Sequence, residues 1–158
     1  MRRKQTDQGF TLIEVLIALV VLAVGLLGMA TLMTTSLQSN QSAYRRSQAS
    51  LLTYDLVERM RLNRSQAITS DDYTLSEDSD ATSAPSCDAA GCTPHQQAQL
   101  DMSQWRAALE AAIPGASAEI GRDVNHYTVT ISWDEVGSEM KNASNESVTP
   151  SFSLRIDL

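Results

Sequence analysis

The sequence predicts an α+β chain: a long N-terminal helix, membrane-spanning in its first half, packed through its second half on a small antiparallel sheet. Three observations carry this. Val15 to Met33 contains no charged residue and no proline, and about 20 apolar residues are what a helix needs to cross a hydrocarbon core of roughly 30 Å. Beyond it, neither proline nor glycine occurs as far as Ser70, and Ala49, Leu52, Leu56 and Met60 recur at spacings of three and four, the stripe of an amphipathic helix. Near the C-terminus, Tyr127, Val129, Ile131 and Trp133 alternate with small polar residues, as do Phe152, Leu154, Ile156 and Leu158. That is the period of half-buried strands.

The long helix is expected from Phe10 to about Asn63, about 80 Å at 1.5 Å per residue. Residues 10–33 form its transmembrane half and residues 34–64 its second half. Asp55 with Arg59, and Glu58 with Arg61, lie one turn apart on that second half, where opposite charges give modest support. Residues 65–158 make a globular head. From Ser65 to about Leu100 the chain reads as irregular, with a short strand at Tyr73–Leu75. A second helix is expected over Asp101–Ile113, with Asp101 and Gln104 spaced as a capping box and Pro114-Gly115 ending it. A weaker strand is expected at Ala118–Arg122. A polar hairpin loop, "DEVGSEMKNASNESVTP", joins the last two strands.

Charge bounds the function. The chain of 158 residues carries a net charge of −7. Arg2, Arg3 and Lys4 precede the apolar run, whereas seven acidic residues and no Lys or Arg lie between Asp71 and Asp101. An acidic surface repels phosphate backbones, so no direct nucleic-acid binding is expected; the acidic run reads as a solvated loop. The basic leader puts the N-terminus in the cytoplasm and the remainder outside. The apolar run is too long for an ordinary cleaved signal and lacks a small-residue cleavage site, so it reads as an anchor. Cys87 and Cys92, behind that anchor, read as a disulfide in an oxidising compartment such as a bacterial periplasm. The alternative, a metal site of Cys87, Cys92 and His95, lacks a fourth ligand and paired spacing. Asp78-Ser79-Asp80 lacks the glycine and closing glutamate of a calcium loop. No nucleophile motif or phosphate loop is present, and His95 and His126 are isolated; no catalytic residue, metal or cofactor is expected.

One residue does not fit a plain anchor. Glu14 stands at the near edge of the apolar run, and a carboxylate in hydrocarbon costs at least a few kcal/mol. It can snorkel to the interface at lower cost, but that leaves Gly9-Phe10-Thr11-Leu12-Ile13-Glu14 unexplained. This hexapeptide, after a basic leader and before an apolar run, closely resembles the prepilin signal of type IV pilins and pseudopilins. The resemblance implies a basic leader at residues 1–9, cut by a prepilin peptidase between Gly9 and Phe10, and N-methylation of Phe10. It also implies the pilin ladle fold. The amine created at Phe10 would pair with the Glu14 carboxylate of a neighbour, since buried charges persist only when paired.

"DLVERMRLN", the cysteine pair, "QWRAALEAAIPG" and "YTVTISWDE" further resemble the PilV-type minor pilins (type IV pilus modification proteins). Where major pilins often carry a helix-breaking proline, this chain has Thr31. The resemblance implies a minor pilin of the bacterial inner membrane, with a periplasmic head, acting in pilus (fimbrium) initiation, assembly or modification and entering the fibre near its tip. Its implied partners are other minor pilins, the major pilin, a tip-associated adhesin and an inner-membrane assembly platform. Two other readings stand beside it: a minor pseudopilin of a type II secretion system, and a membrane-anchored periplasmic adhesive or binding module.

Overall fold

A computed structural model describes residues 10–77, 83–87, 91–135 and 149–158. The leader at residues 1–9, the Asp78-Ser79-Asp80 triplet and most of the polar loop expected between the last two strands lie outside the described residues. The elements run α1 (Leu12–Leu62), α2 (Arg64–Thr69), α3 (Pro94–Ala112), β1 (Ser117–Asp123), β2 (His126–Ser132) and β3 (Ser151–Asp157). The chain divides into two compact units between Asn40 and Gln41.

In the first unit, the large apolar side chains of α1 all point outward, from Leu12 to Leu37. Main-chain groups within a bilayer have no water to bond, so a helix is the single-segment solution. The threonines at 31–35 keep to that rule. Thr31 Oγ1 donates to the Leu27 carbonyl at 3.1 Å, Thr34 Oγ1 to Thr31 at 2.8 Å and Thr35 Oγ1 to Thr31 at 3.0 Å. Each hydroxyl is satisfied by its own helix.

The second unit is built on one core. Ala49, Leu56 and Met60 of α1, Met102, Trp105 and Leu109 of α3, and the inward row of the sheet bury together. The sheet is antiparallel in the order β1-β2-β3. Its register puts Ala118 beside Ile131 and Phe152, and Ile120 beside Val129 and Leu154, so the alternating apolar residues share one face. The opposite face carries polar pairs, such as Thr130 and Ser153 at 3.0 Å. Buried aromatics find partners for their polar tips, as they must. Trp105 Nε1 donates to the Leu52 carbonyl at 2.8 Å, and the Tyr127 hydroxyl to that of Ala67 at 2.8 Å. These two bonds tie α3 to α1, and β2 to α2. On the solvent side of α1, Asp55 meets Arg59 at 2.8 Å and Glu58 meets Arg61 at 2.6 Å, as the one-turn spacing predicts.

Two expectations need correction. The second helix starts at Pro94, not Asp101. Its cap is Thr93, whose hydroxyl accepts from the Gln96 amide at 3.2 Å while the Gln96 side chain accepts from the Thr93 amide at 2.9 Å. Pro94 at the first helical position has no amide hydrogen to lose there. Residues 65–100 are also less irregular than expected, because α2 forms over Arg64–Thr69. The strand expected at Tyr73–Leu75 is a single bridge, with Leu75 exchanging both hydrogen bonds with Ile120 at 3.0 and 2.8 Å.

Asp101 is not a cap but the centre of a buried polar network. Its side chain is 6% exposed and accepts from the Tyr73 hydroxyl at 2.7 Å and Gln97 at 2.8 Å, with the Arg59 guanidinium at 3.6 Å. Asn63 extends the network, donating to the Tyr73 hydroxyl at 3.2 Å and to the Pro94 carbonyl at 2.7 Å. Burial, and after it the hydrogen bond to Asp101, push the Tyr73 hydroxyl pKa above its ordinary value, so the phenol remains a donor. Removing a buried carboxylate strands its donors. Asp101→Ala is therefore expected to lower the unfolding free energy by about 2–4 kcal/mol, read by urea denaturation of the detergent-solubilised chain. A loss below about 1 kcal/mol would contradict the network's structural role.

Candidate functional site: the charged edge of the long helix and the clasped head

The candidate site begins at the first turn of α1. Phe10 is 83% exposed and precedes the helix; Gly9 lies outside the described residues. Thr11 supplies the cap that sequence reasoning missed. The Glu14 amide donates to its hydroxyl at 3.3 Å and to its carbonyl at 3.1 Å. The missed signal is Thr11-x-x-Glu14, capping-box spacing at the start of an apolar run. Glu14 thus occupies the third helical position, where the positive end of the helix dipole favours a carboxylate. Among the described residues its side chain enters no ion pair. A carboxylate partly supported by the helix terminus, at the edge of an apolar surface, can accept a cation from elsewhere.

Beyond Glu14 the helix presents an open apolar surface. Leu16, Val20, Leu27 and Met33 are each at least half exposed. Gly25 and Gly28 meet no atom within 4 Å of the position a Cβ would take, so in the single chain neither glycine serves an internal contact. By length and composition α1 can cross a membrane.

In the head, Cys87 and Cys92 are bonded to each other, with Cα atoms 4.9 Å apart, within the ordinary range for a disulfide. This decides between the two readings of the pair, because His95 turns instead to Asp72, at 2.9 Å. The bond lies directly before the Thr93 cap. Gln96, the other half of that capping box, reaches back to the Ser86 carbonyl at 3.4 Å. Arg122 closes the neighbouring turn, donating to Asp71 at 2.7 Å and to the Ser70 carbonyl at 2.9 Å. His126 pairs with Asp157 across β2 and β3. Among the described residues no group of three His, Cys, Asp or Glu side chains is placed to hold a metal ion.

Two family models match the chain. Residues 4–30 match the prokaryotic N-terminal methylation motif, and residues 31–103 match a family described as type IV pilin Tt1218. The matches support the type IV pilin superfamily. They abut without overlap: the methylation motif takes in the start of α1, and the pilin family the rest of α1, α2, the cysteine pair and the start of α3. Neither matched family is an enzyme family. No curated protein and no solved structure matches. The methylation motif implies processing by a prepilin peptidase and assembly with other pilins, and motif and helix together fit membrane anchoring. Polar clasps tie the segments of the head together around its apolar core.

Asp72 offers a test of those clasps. Burial alone would raise its carboxyl pKa, but hydrogen bonds with His95, Gln66 and Ser70, and the His95 charge, outweigh that and hold it below the usual value. A carboxyl lowered in the folded state contributes stability above its unfolded pKa, and that contribution fades as pH falls through the folded value. Asp72→Asn is expected to cost about 1 kcal/mol at pH 7, discounted for partial exposure. The deficit should shrink below about pH 4. Thermal melts of both forms at pH 7 and pH 3 check this; an equal deficit at both would remove the charge from the explanation.

Proposed function

We propose that this chain is a minor type IV pilin of the PilV type, acting in initiation, assembly or modification of a pilus. The observation that carries the reading is the first turn of α1: a carboxylate with no ion-pair partner among the described residues, at the edge of a helix whose large apolar side chains are exposed for more than six turns. Prepilin peptidase cuts between Gly9 and Phe10, and Phe10 becomes the N-methylated first residue. Residues 10–33 stay in the inner membrane and residues 34–64 and 65–158 stand in the periplasm, where the Cys87–Cys92 bond forms.

Assembly then follows from electrostatics. The new amine at Phe10 is cationic, and Glu14 of a neighbouring subunit is its counter-ion. In low dielectric, an unpaired charge is costly and a matched pair is tolerated. The pair therefore selects the axial position at which an incoming helix can rest, while dispersion between apolar side chains holds it there. Other minor pilins, the major pilin, a tip-associated adhesin and the assembly platform are the partners in this scheme.

Intact mass spectrometry of sheared fibres and of membranes tests the reading. The expected species begins at Phe10, carries one added methyl group, has both cysteines oxidised and occurs in fibres. A processed form confined to membranes would favour a type II secretion pseudopilin. A chain retaining residues 1–9 in both fractions would refute the prepilin reading. Glu14→Ala should leave cleavage intact and lower fibre incorporation at least about tenfold, the effect of about 1.4 kcal/mol of lost pairing; unchanged incorporation would exclude the charge-pairing step.

A further inference from the structure

Where the end of α1 meets the start of α3 lies an open cavity of about 360 Å³, within the range of small-ligand sites. Its lining joins the buried Asp101 and the amides of Asn63 and Gln97 to the apolar Leu62 and Pro94 and the disulfide-bonded Cys92. The amide nitrogens are committed: Asn63 Nδ2 donates to the Tyr73 hydroxyl and the Pro94 carbonyl, and Gln97 Nε2 to Asp101. The two amide oxygens accept no hydrogen bond among the described residues. No buried side-chain polar atom among those residues lacks a partner, so both oxygens reach solvent. Asp101 accepts from Tyr73 and Gln97, which leaves lone pairs on its carboxylate unused.

Charge and donor count narrow what the cavity can hold. Arg59 also lines it, but its Nε meets Asp55 at 2.8 Å and its Nη1 donates to Gln104 at 3.0 Å, with Asp101 at 3.6 Å. Two carboxylates against one guanidinium leave one negative charge. An anion would face that charge and two amide oxygens. A calcium ion takes about six to eight oxygen ligands, more than these side chains present. A guanidinium favours both oxygens of one carboxylate, and those of Asp101 already accept from Tyr73 and Gln97. An ammonium has three donors and no acceptor, which suits the oxygens of Asp101, Asn63 and Gln97. An unbranched carbon stem can lie along Leu62, Pro94 and the disulfide, as lysine stems lie on apolar surface elsewhere.

We propose that this cavity binds a primary alkylammonium group, with the nitrogen on Asp101, Asn63 and Gln97 and the carbon chain against Leu62 and Pro94. A lysine side chain of another protein and a free aliphatic diamine share this chemistry. The site stands whether or not the chain enters a fibre.

Isothermal titration of the detergent-solubilised full-length chain tests it, with acetyl-lysine methylamide (free side-chain amine), cadaverine and acetyl-norleucine methylamide as probes. The lysine derivative is expected to bind with a Kd of about 1 mM or tighter. The norleucine derivative has the same stem without the nitrogen and should bind at least about tenfold more weakly. Cadaverine binding as tightly as the lysine derivative assigns the site to a free diamine; weaker binding assigns it to the lysine of a protein partner. Gln97→Lys supplies an ammonium from the chain itself and keeps a donor to Asp101. It should leave the melting temperature unchanged and weaken binding of the lysine derivative at least about tenfold. Three results would each overturn the proposal: no binding of the lysine derivative at about 10 mM, equal binding of the norleucine derivative, or unchanged affinity in folded Gln97→Lys. Should Gln97→Lys fail to fold, the comparison of lysine with norleucine on the unsubstituted chain still decides.

Discussion

Everything in this protein follows from the requirement that α1 satisfy its backbone internally while its side chains face different surroundings along its length. From Val15 to Ala30 the helix is apolar on all sides. No face is reserved for water and none is covered by the chain's own residues. From Ala49 to Met60 only one side is apolar enough to close a core. A backbone that forms all its hydrogen bonds within the segment permits both arrangements in one element, and the threonines at 31–35 extend that self-sufficiency to their hydroxyls.

The head solves a different problem. Its core is closed by apolar residues of α1, α3 and the sheet, and polar clasps tie the elements around it. Trp105 bonds to the backbone of α1, Tyr127 to α2, and Asp101 collects Tyr73, Gln97 and Arg59. Buried polar groups of this kind are stabilising only when complete, since each member left unpaired costs more than the bond it made. The network therefore fixes where α3 lies on α1 more sharply than apolar packing alone would. The disulfide and the Thr93 cap adjoin each other at the start of α3, so the covalent link secures a short segment beside the helix terminus that the cap already satisfies.

Glu14 joins the two themes. At the third position of the helix it benefits from the positive end of the dipole, which lowers the cost of a carboxylate beside an apolar surface. That support is partial. A cation placed nearby gains more than it would from a carboxylate already paired within its own chain. A site that is stable enough to persist and still open to a partner is what an assembly contact requires.

Periodicity was enough to determine α1 to within two residues at its start, its apolar first half, its Ala49–Met60 stripe and the strands β1, β2 and β3, because each depends on a local repeat that the backbone geometry reads directly. The hexapeptide ending at Glu14 and the two cysteines were legible for the same reason: their chemistry lies in residues close in the chain. Tertiary structure decided the rest. Asp101 has the sequence signature of a cap and becomes a buried hub, because Tyr73 and Arg59 reach it from 28 and 42 residues away. Thr93 and Pro94 start the helix instead, although the spacing of Thr93 and Gln96 was there to be read. His95 stands three residues from Cys92 in sequence, yet Asp72 claims it. The cavity between α1 and α3 could be recognised only once the two helices had met, because a sequence lists polar residues but not which of their atoms the fold leaves unpaired.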